Sequence, residues 1–247
     1  MSLVTVLPLN FMFESIDIFI YLTILHDDSG LTLIDCAYPR FLPIIESAME
    51  KAGLSMNDLR NIIITHHDHD HMGALKEITD KYPNIKVFSS KEQKPFITGE
   101  SKSLRLIQAE EMDKYLSESE KVDSKKFMDM LKSVETVDDV TEFSDGDILK
   151  GCGGAVVVDT SGHMPGHISV YVPSEKTLIA GDALVVEDEK LCIANPEYVL
   201  NMPAAIKSVE KLINYDIERV ICYHGGVFCG DIKHELQRIL VDAKAAL

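Results

Sequence analysis

A mixed α/β (α+β) fold is predicted by three observations on this chain of 247 residues. β-Branched and apolar runs of strand length recur along it, bounded by polar or glycine-bearing segments. Stretches with helical apolar spacing follow several of these runs, the pattern of strand–loop–helix units. An apolar content of 46%, with 7% aromatic residues and no tryptophan, fits a core of Ile, Leu, Val and Ala.

The first element is a β-hairpin: the run Asp17 to Leu25, a turn at Asp27-Asp28-Ser29-Gly30, and the run Leu31 to Ile34, ending at Asp35. A helix is predicted from Arg40 to Ala52, with Pro43 tolerated in a first turn whose N–H groups lack helical partners anyway. Ser55 reads as an N-cap before a short turn that leads into a strand at Ile62 to Thr65. Met72, Leu75 and Ile78 then carry helical spacing as far as Lys81, and Ile85 to Phe88 is the next strand. From Ser89 to Asp139 the sequence turns charged and Ser/Lys/Glu-rich, with apolar residues such as Phe96, Leu104, Leu106, Ile107 and Phe127 at intervals. This predicts two or three amphipathic helices inserted at 89–139, either a lid over a site or an apolar face packed on the body of the protein or on a second copy.

Strands resume at Val140 to Phe143, Ala155 to Asp159, Ile168 to Val172 and Thr177 to Ala180, whose alternation predicts a second sheet. A helix from Pro203 to Ile213, a strand from Arg219 to Cys222 and a closing helix from Lys233 to Ala246 complete the reading. With no Pro-rich or Gly/Ser-rich linker and no internal repeat, residues 1–247 are expected to form a single domain.

Between the strand at Ile62 and the helix at Met72 lies the run His66-His67-Asp68-His69-Asp70-His71. Burying imidazoles beside carboxylates is costly without a cation, whereas divalent metals take both as ligands. Read from Thr65, the pattern Thr65-His66-x-Asp68-x-Asp70-His71-x-Gly73 resembles the Thr-His-x-His-x-Asp-His-x-Gly motif of the metallo-β-lactamase-fold superfamily. Asp68 stands where most members have a second histidine. The alternative pair Asp68-His69 is out of register, because it would need a histidine at Ile64. Further segments follow in the family's order: Gly162-His163-Met164-Pro165-Gly166-His167, the strand end Leu178-Ile179-Ala180-Gly181-Asp182, and Cys222-Tyr223-His224-Gly225. The resemblance covers nearly the whole chain and implies a four-layer αββα sandwich.

Carried over residue by residue, the resemblance implies a first metal on His66, Asp68 and His163, a second on Asp70, His71 and His224, and Asp182 bridging them. Two divalent ions roughly 3.5 to 4 Å apart acidify a bridging water and polarise the substrate, giving a hydroxide nucleophile near neutrality. Asp70 is the catalytic candidate, orienting that hydroxide and passing a proton to the leaving group. Zinc is the metal expected on the remaining histidines, while the harder Asp68 admits iron or manganese. Asp68 also adds negative charge, which predicts a more alkaline activity optimum than an all-histidine first site would have. His67 and His69 alternate with the ligands and are assigned to support, as is His167. Tyr198 and Tyr223 are candidates for hydrogen bonding an oxyanion or for packing.

These features imply hydrolysis of an ester, thioester or lactone of a small molecule. Secreted β-lactamases, glutathione-thioester hydrolases and homoserine-lactone lactonases each carry a signal that this chain lacks: a leader peptide, a Gly-Asp-x-Leu-Phe segment with its sequel, and a tyrosine shortly after the bridging aspartate. The alternative is a non-haem iron oxidoreductase of the same fold, either a di-iron enzyme or a persulfide-dioxygenase-like enzyme using His66, His163 and Asp182. With 24 basic against 40 acidic residues and a net charge of -16, nucleic acid is not expected as a partner. The N-terminal residues lack a leader pattern and the apolar runs are strand-sized, so a cytoplasmic protein with no membrane association is expected. A homodimer through the insertion is the expected assembly if the apolar stripes pair. The five cysteines (Cys36, Cys152, Cys192, Cys222, Cys229) show no Cys-x-x-Cys, and Cys222 is read as a buried structural residue.

Overall fold

The computed structural model describes residues 3–13, 16–27, 29–150 and 152–245. The first sheet contains, side by side, β1 (Val4–Phe13), β2 (Ile16–Asp27), β3 (Gly30–Ile34), β4 (Leu59–Ile63), β5 (Lys86–Ser90) and β6 (Thr141–Phe143). The strands β1 to β3 are antiparallel, and from β3 onward neighbours run parallel. Helices α1 (Leu42–Lys51) and α2 (Leu75–Lys81) make the two parallel crossovers that flank β4, and α3 (Lys94–Ile97), α4 (Leu104–Asp113) and α5 (Glu120–Lys132) lie between β5 and β6.

The second sheet is built from β7 (Val156–Asp159), β8 (Ile168–Val172), β9 (Thr177–Gly181), β12 (Arg219–Cys222) and β13 (Gly226–Cys229), in the order β13-β12-β9-β8-β7. A small hairpin, β10 (Val185–Glu187) with β11 (Lys190–Cys192), follows β9, and helices α6 (Met202–Leu212) and α7 (Ile232–Ala245) flank β12 in sequence.

The period-two geometry of strands explains the layering. Ile24, Leu33 and Ile62 face outward from the first sheet onto Ile45, Met49, Leu75 and Ile78 of α1 and α2. Their neighbours Leu25, Ile34 and Ile63 face the second sheet and meet Val157, Val170, Ile179 and Ile221. On its far side the second sheet presents Val158, Tyr171, Leu178 and Val220 to Val209, Leu212, Leu236 and Ile239 of α6 and α7. The order is therefore helix, sheet, sheet, helix, the αββα arrangement. Each such Ile or Leu contributes about 1.5–3 kcal/mol by leaving water, and truncating one to Ala costs about 2–5 kcal/mol.

The expected hairpin, helices and strands are present with shifts of a few residues, and Ile168–Val172 and Arg219–Cys222 have the expected bounds. Asp28 of the expected turn and Ala246 of the closing helix lie outside the described residues. Four pieces lack an expectation: β1, the β10–β11 hairpin, β13 and the short 3-10 turn Pro173–Glu175. In β1, Pro8 interrupts the donor row, which is tolerated because β1 pairs on one side only, with β2. The insertion forms three helices, and Leu106, Ala109 and Leu131 bind α4 to α5 in a small apolar cluster of their own. Among the described residues no helix is long and apolar enough to cross a membrane.

Candidate metal centre

Every segment of the site leaves the same edge of the sandwich. Asp35 follows β3, the His/Asp run follows β4, Asp182 follows β9 and His224 follows β12, while His163 lies in the β7–β8 loop. Parallel β3, β4, β9 and β12 thus aim their carboxyl ends at one place. The run itself is a compact turn, with His71 N donating to Asp68 O at 2.9 Å and Met72 N to the same oxygen at 3.0 Å. Gly73 closes it because a Cβ there would stand 2.3 Å from His69 O and from Pro39 N.

The structure brings together all seven residues expected as ligands. Asp68 Oδ2 lies 3.5 Å from His66 Nε2 and 3.2 Å from His163 Nε2, making one group. Asp70 Oδ2 lies 3.2 Å from His224 Nε2 and 3.8 Å from His71 Nε2, making another. Asp182 stands between them: its Oδ1 is 3.3 Å from His71 Nε2, and its Oδ2 is 3.6 Å from both His163 Nε2 and His224 Nε2. His66 Nε2, His71 Nε2 and Asp182 Oδ1 are buried without a hydrogen-bond partner, and these three residues form a third group of mutually close ligand atoms. Buried acceptors left unpaired and converging on one point fit a divalent cation.

Supporting residues fix the ligands from behind. Asp35, buried and held at φ 59°, accepts from Thr65 N and Thr65 Oγ1 and from His71 Nδ1, each at 2.8 Å, so the Nε2 of His71 is the free face. His167 bonds Thr160 Oγ1 through Nδ1 and accepts the Asp182 N–H at Nε2, 3.0 Å away, which makes it a support for Asp182. Gly181, at φ 54°, keeps that ring close: a Cβ would meet His167 Nε2 at 2.7 Å. The Tyr223 hydroxyl donates to the Asp70 carbonyl and its ring packs on His71, so it braces the turn. His67 bonds Gln93 Oε1 at 2.7 Å and accepts the Leu104 N–H at 3.1 Å. His69 packs edge-on against Tyr38 and Phe127 and belongs to none of the three groups. Cys222 is buried in the apolar layer under α6 and α7.

Arg105 of α4 has no counterpart in the expectations. Its Nε and Nη2 straddle the Asp68 carboxylate at 3.1 and 2.7 Å, and Nη2 stands 3.3 Å from His163 Nε2. The guanidinium is buried and also donates to Tyr198 O at 3.0 Å and Gln108 Oε1 at 2.6 Å. Tyr198 thus offers its carbonyl to Arg105, with its own ring half exposed. The sequence does signal a basic partner, though not which one: a carboxylate in a histidine position is one charge in excess, and a basic residue is its simplest partner. Asp35 offers no such signal, because it looks like the last residue of a hairpin.

The electrostatics sort the imidazoles into two kinds. Burial, helped by neighbouring His71, pushes His66 down to about 4, and burial likewise holds His167 well below the ordinary histidine value. For His71, burial is outweighed by Asp182, Asp35 and Asp70, which raise it well above that value, and Asp182 and Asp70 raise His224 in the same way. Asp68 is held far below the carboxylate range despite burial, by His163, His66 and Arg105. Asp70 and Asp182 are lowered too, each by His71 first among its neighbours.

An αββα sandwich with histidines and aspartates gathered at the strand ends defines a metal-binding protein of the metallo-β-lactamase type. The chain belongs to the metallo-beta-lactamase superfamily, whose family profile matches residues 17–224. It is 24% identical over 207 residues to a probable metallo-hydrolase, YflN, of Bacillus subtilis, covering 79% of this chain and 75% of the relative. It is 27% identical over 167 residues to a hydroxyacylglutathione hydrolase of Gloeobacter violaceus, covering 66% of this chain but 48% of that protein. Among solved structures, a metallo-beta-lactamase family protein from Thermus thermophilus superposes with a TM-score of 0.74 at 21% identity, over 98% of this chain and 80% of the other.

Proposed function

We propose that this chain is a binuclear metal-dependent hydrolase that cleaves an ester, thioester or lactone of a small molecule. The observation that carries this reading is the position of Asp182 Oδ2, equally distant at 3.6 Å from a histidine of each cluster. A carboxylate so placed suits a bridge between two cations. His66, Asp68 and His163 would hold the first, and Asp70, His71 and His224 the second, with zinc favoured and iron or manganese admitted by Asp68. Divalent ions held there would supply a water nucleophile at neutral pH and polarise the group under attack.

The chain's own residues supply the rest. Asp70 carries a second carboxylate oxygen beside the one facing His224, Oδ1, 3.6 Å from His69 Nδ1, and this oxygen is assigned to orient the attacking water and hand its proton to the leaving group. Asp35 and His167 keep His71 and Asp182 aimed, so little reorganisation is needed. His224, with 36% of its side chain exposed, marks the open side by which a small substrate enters. The insertion 89–139, tied to the metal turn through His67 and Arg105, is read as the lid. Relatives named as hydrolases, one of them a hydroxyacylglutathione hydrolase, support this class of reaction.

The test is elemental analysis of protein purified without chelator, repeated on His66→Ala and Asp182→Ala. Near two zinc or manganese ions per chain, lost in the variants, followed by turnover in an ester, thioester and lactone screen, is the expected result. A single iron with oxygen uptake on persulfide would overturn it in favour of the oxidoreductase.

A further inference from the structure

We infer that Arg105 is a built-in rival for the first metal: it holds Asp68 and His163 as a pair, makes that cluster the weaker of the two, and leaves with the start of α4 when an ion enters. This rests on the two-ion reading of the site.

The argument begins with Asp68. Its Oδ2 is the atom that faces both His66 Nε2 and His163 Nε2, and the same oxygen receives Arg105 Nη2 at 2.7 Å. The guanidinium therefore shares the donor atom that a metal would use. It also lies 3.3 Å from His163 Nε2, a second donor of the same cluster. Two cations drawn to one carboxylate oxygen in a buried site repel each other strongly. In the second cluster the ion-pair partners of Asp70 among the described residues are His69, His71 and His224, and Arg105 acts on Asp70 only as a more distant charge without a hydrogen bond to it.

Arg105 is not available for substrate. Besides Asp68 it donates to Gln108 Oε1 and Tyr198 O, so each of its three nitrogens already has a partner. Its backbone lies in the first turn of α4, one residue after Leu104, whose N–H is accepted by His67. Moving the guanidinium off Asp68 consequently pulls on the segment that ties the insertion to the metal turn. The small cluster of Leu106, Ala109 and Leu131 lets α4 and α5 shift as a pair, since it is separate from the main core.

A competing possibility gives the opposite sign. If Arg105 merely oriented Asp68 as a ligand, removing it would weaken the first site about 10- to 100-fold, as losing an outer partner does. As a rival, removing it tightens that site by a similar factor.

The experiment is a zinc titration of the chelated full chain against a competing chelator, on the wild type, Arg105→Met and Arg105→Lys. The wild type is expected to fill in two steps, the second much the weaker. Arg105→Met should tighten the weak step at least tenfold and leave the tight step unchanged, which also shows that the variant is folded. Arg105→Lys, which keeps the charge and loses the fork, should fall between. Hydrogen exchange in residues 104–113 should quicken only as the weak step fills. A weak step that is unchanged or loosened in Arg105→Met overturns the inference while leaving two ions intact. One ion in both proteins overturns both the inference and the two-ion reading, and one ion in the wild type with two in Arg105→Met upholds Arg105 as the rival.

Discussion

Asp35 Oδ2 accepts a hydrogen bond from His71 Nδ1 at 2.8 Å, and the same carboxylate accepts the N–H and hydroxyl of Thr65. One buried side chain thereby fixes both the strand end that launches the metal turn and the tautomer of its last histidine. Asp35→Ala removes all three bonds at once. On the two-ion reading, the ion on His71 should loosen about 10- to 100-fold, read by chelator competition. The ion held by His66 and His163 should bind nearly as before. Equal loss at both would point to collapse of the turn rather than to misorientation of His71.

Stability of the chelated protein should peak near pH 6.5, where the two kinds of histidine exert opposite effects. His66, His67 and His167 have folded values below the ordinary 6.5 because burial favours the neutral ring. Below pH 6.5 the unfolded chain takes up protons that these rings refuse, so stability falls as pH drops. His71 and His224 have raised values, so their contribution is complete below 6.5 and is lost as pH climbs through the folded values. The lowered carboxylates Asp68, Asp70 and Asp182 add a further loss at strongly acid pH. Thermal melts in chelator across about pH 5 to 8.5 give the test. Zinc should abolish the alkaline fall, because metal binds the neutral ring and displaces the same protons. A chelated protein that keeps gaining stability above pH 6.5 would contradict the raised histidines.

His67 is a hinge pin between the metal turn and the insertion. It donates to Gln93 Oε1, accepts from Leu104 N and stacks on Phe96 with ring centroids 4.2 Å apart. His67→Phe keeps the stacking and deletes both hydrogen bonds, leaving the Leu104 N–H and Gln93 Oε1 unpaired at a cost of about 1–3 kcal/mol each. Limited proteolysis should then cut faster within residues 98–104, and metal content should be unchanged. Loss of metal in this variant would mean that His67 is a ligand after all.

How much of this was legible in the sequence depends on whether the residue's partner is near in the chain or far. The turn from His66 to His71 is local, and its spacing identified the residues that the fold converges with His163, Asp182 and His224. The layers were legible for the same reason, since Ile62 and Ile63 announce opposite faces by adjacency alone. Strand β1 was not, because Pro8 breaks the donor row and the tolerance depends on an edge position that only the sheet order reveals. The β10–β11 hairpin is three residues on each side, too short for a period to register. Arg105 lay 37 residues from Asp68 in sequence, within a charged stretch where nothing distinguishes one basic residue from another.

Arg105 also changes what Asp68 does to the chemistry. The alkaline optimum expected from an extra carboxylate concerns the metal-loaded site, whereas in the metal-free protein the guanidinium at 2.7 Å offsets that charge. Restoring the more usual histidine by Asp68→His should therefore not simply improve the site. It would strand Arg105 in the interior facing an imidazole, and an unpaired buried charge costs about 3–5 kcal/mol. The single variant should melt well below the wild type. The double variant Asp68→His with Arg105→Met should recover most of that loss, because no charge is left behind. A double-mutant cycle by denaturant unfolding of the chelated proteins measures the coupling, and additive losses would mean that the two residues share a pocket without sharing their charges.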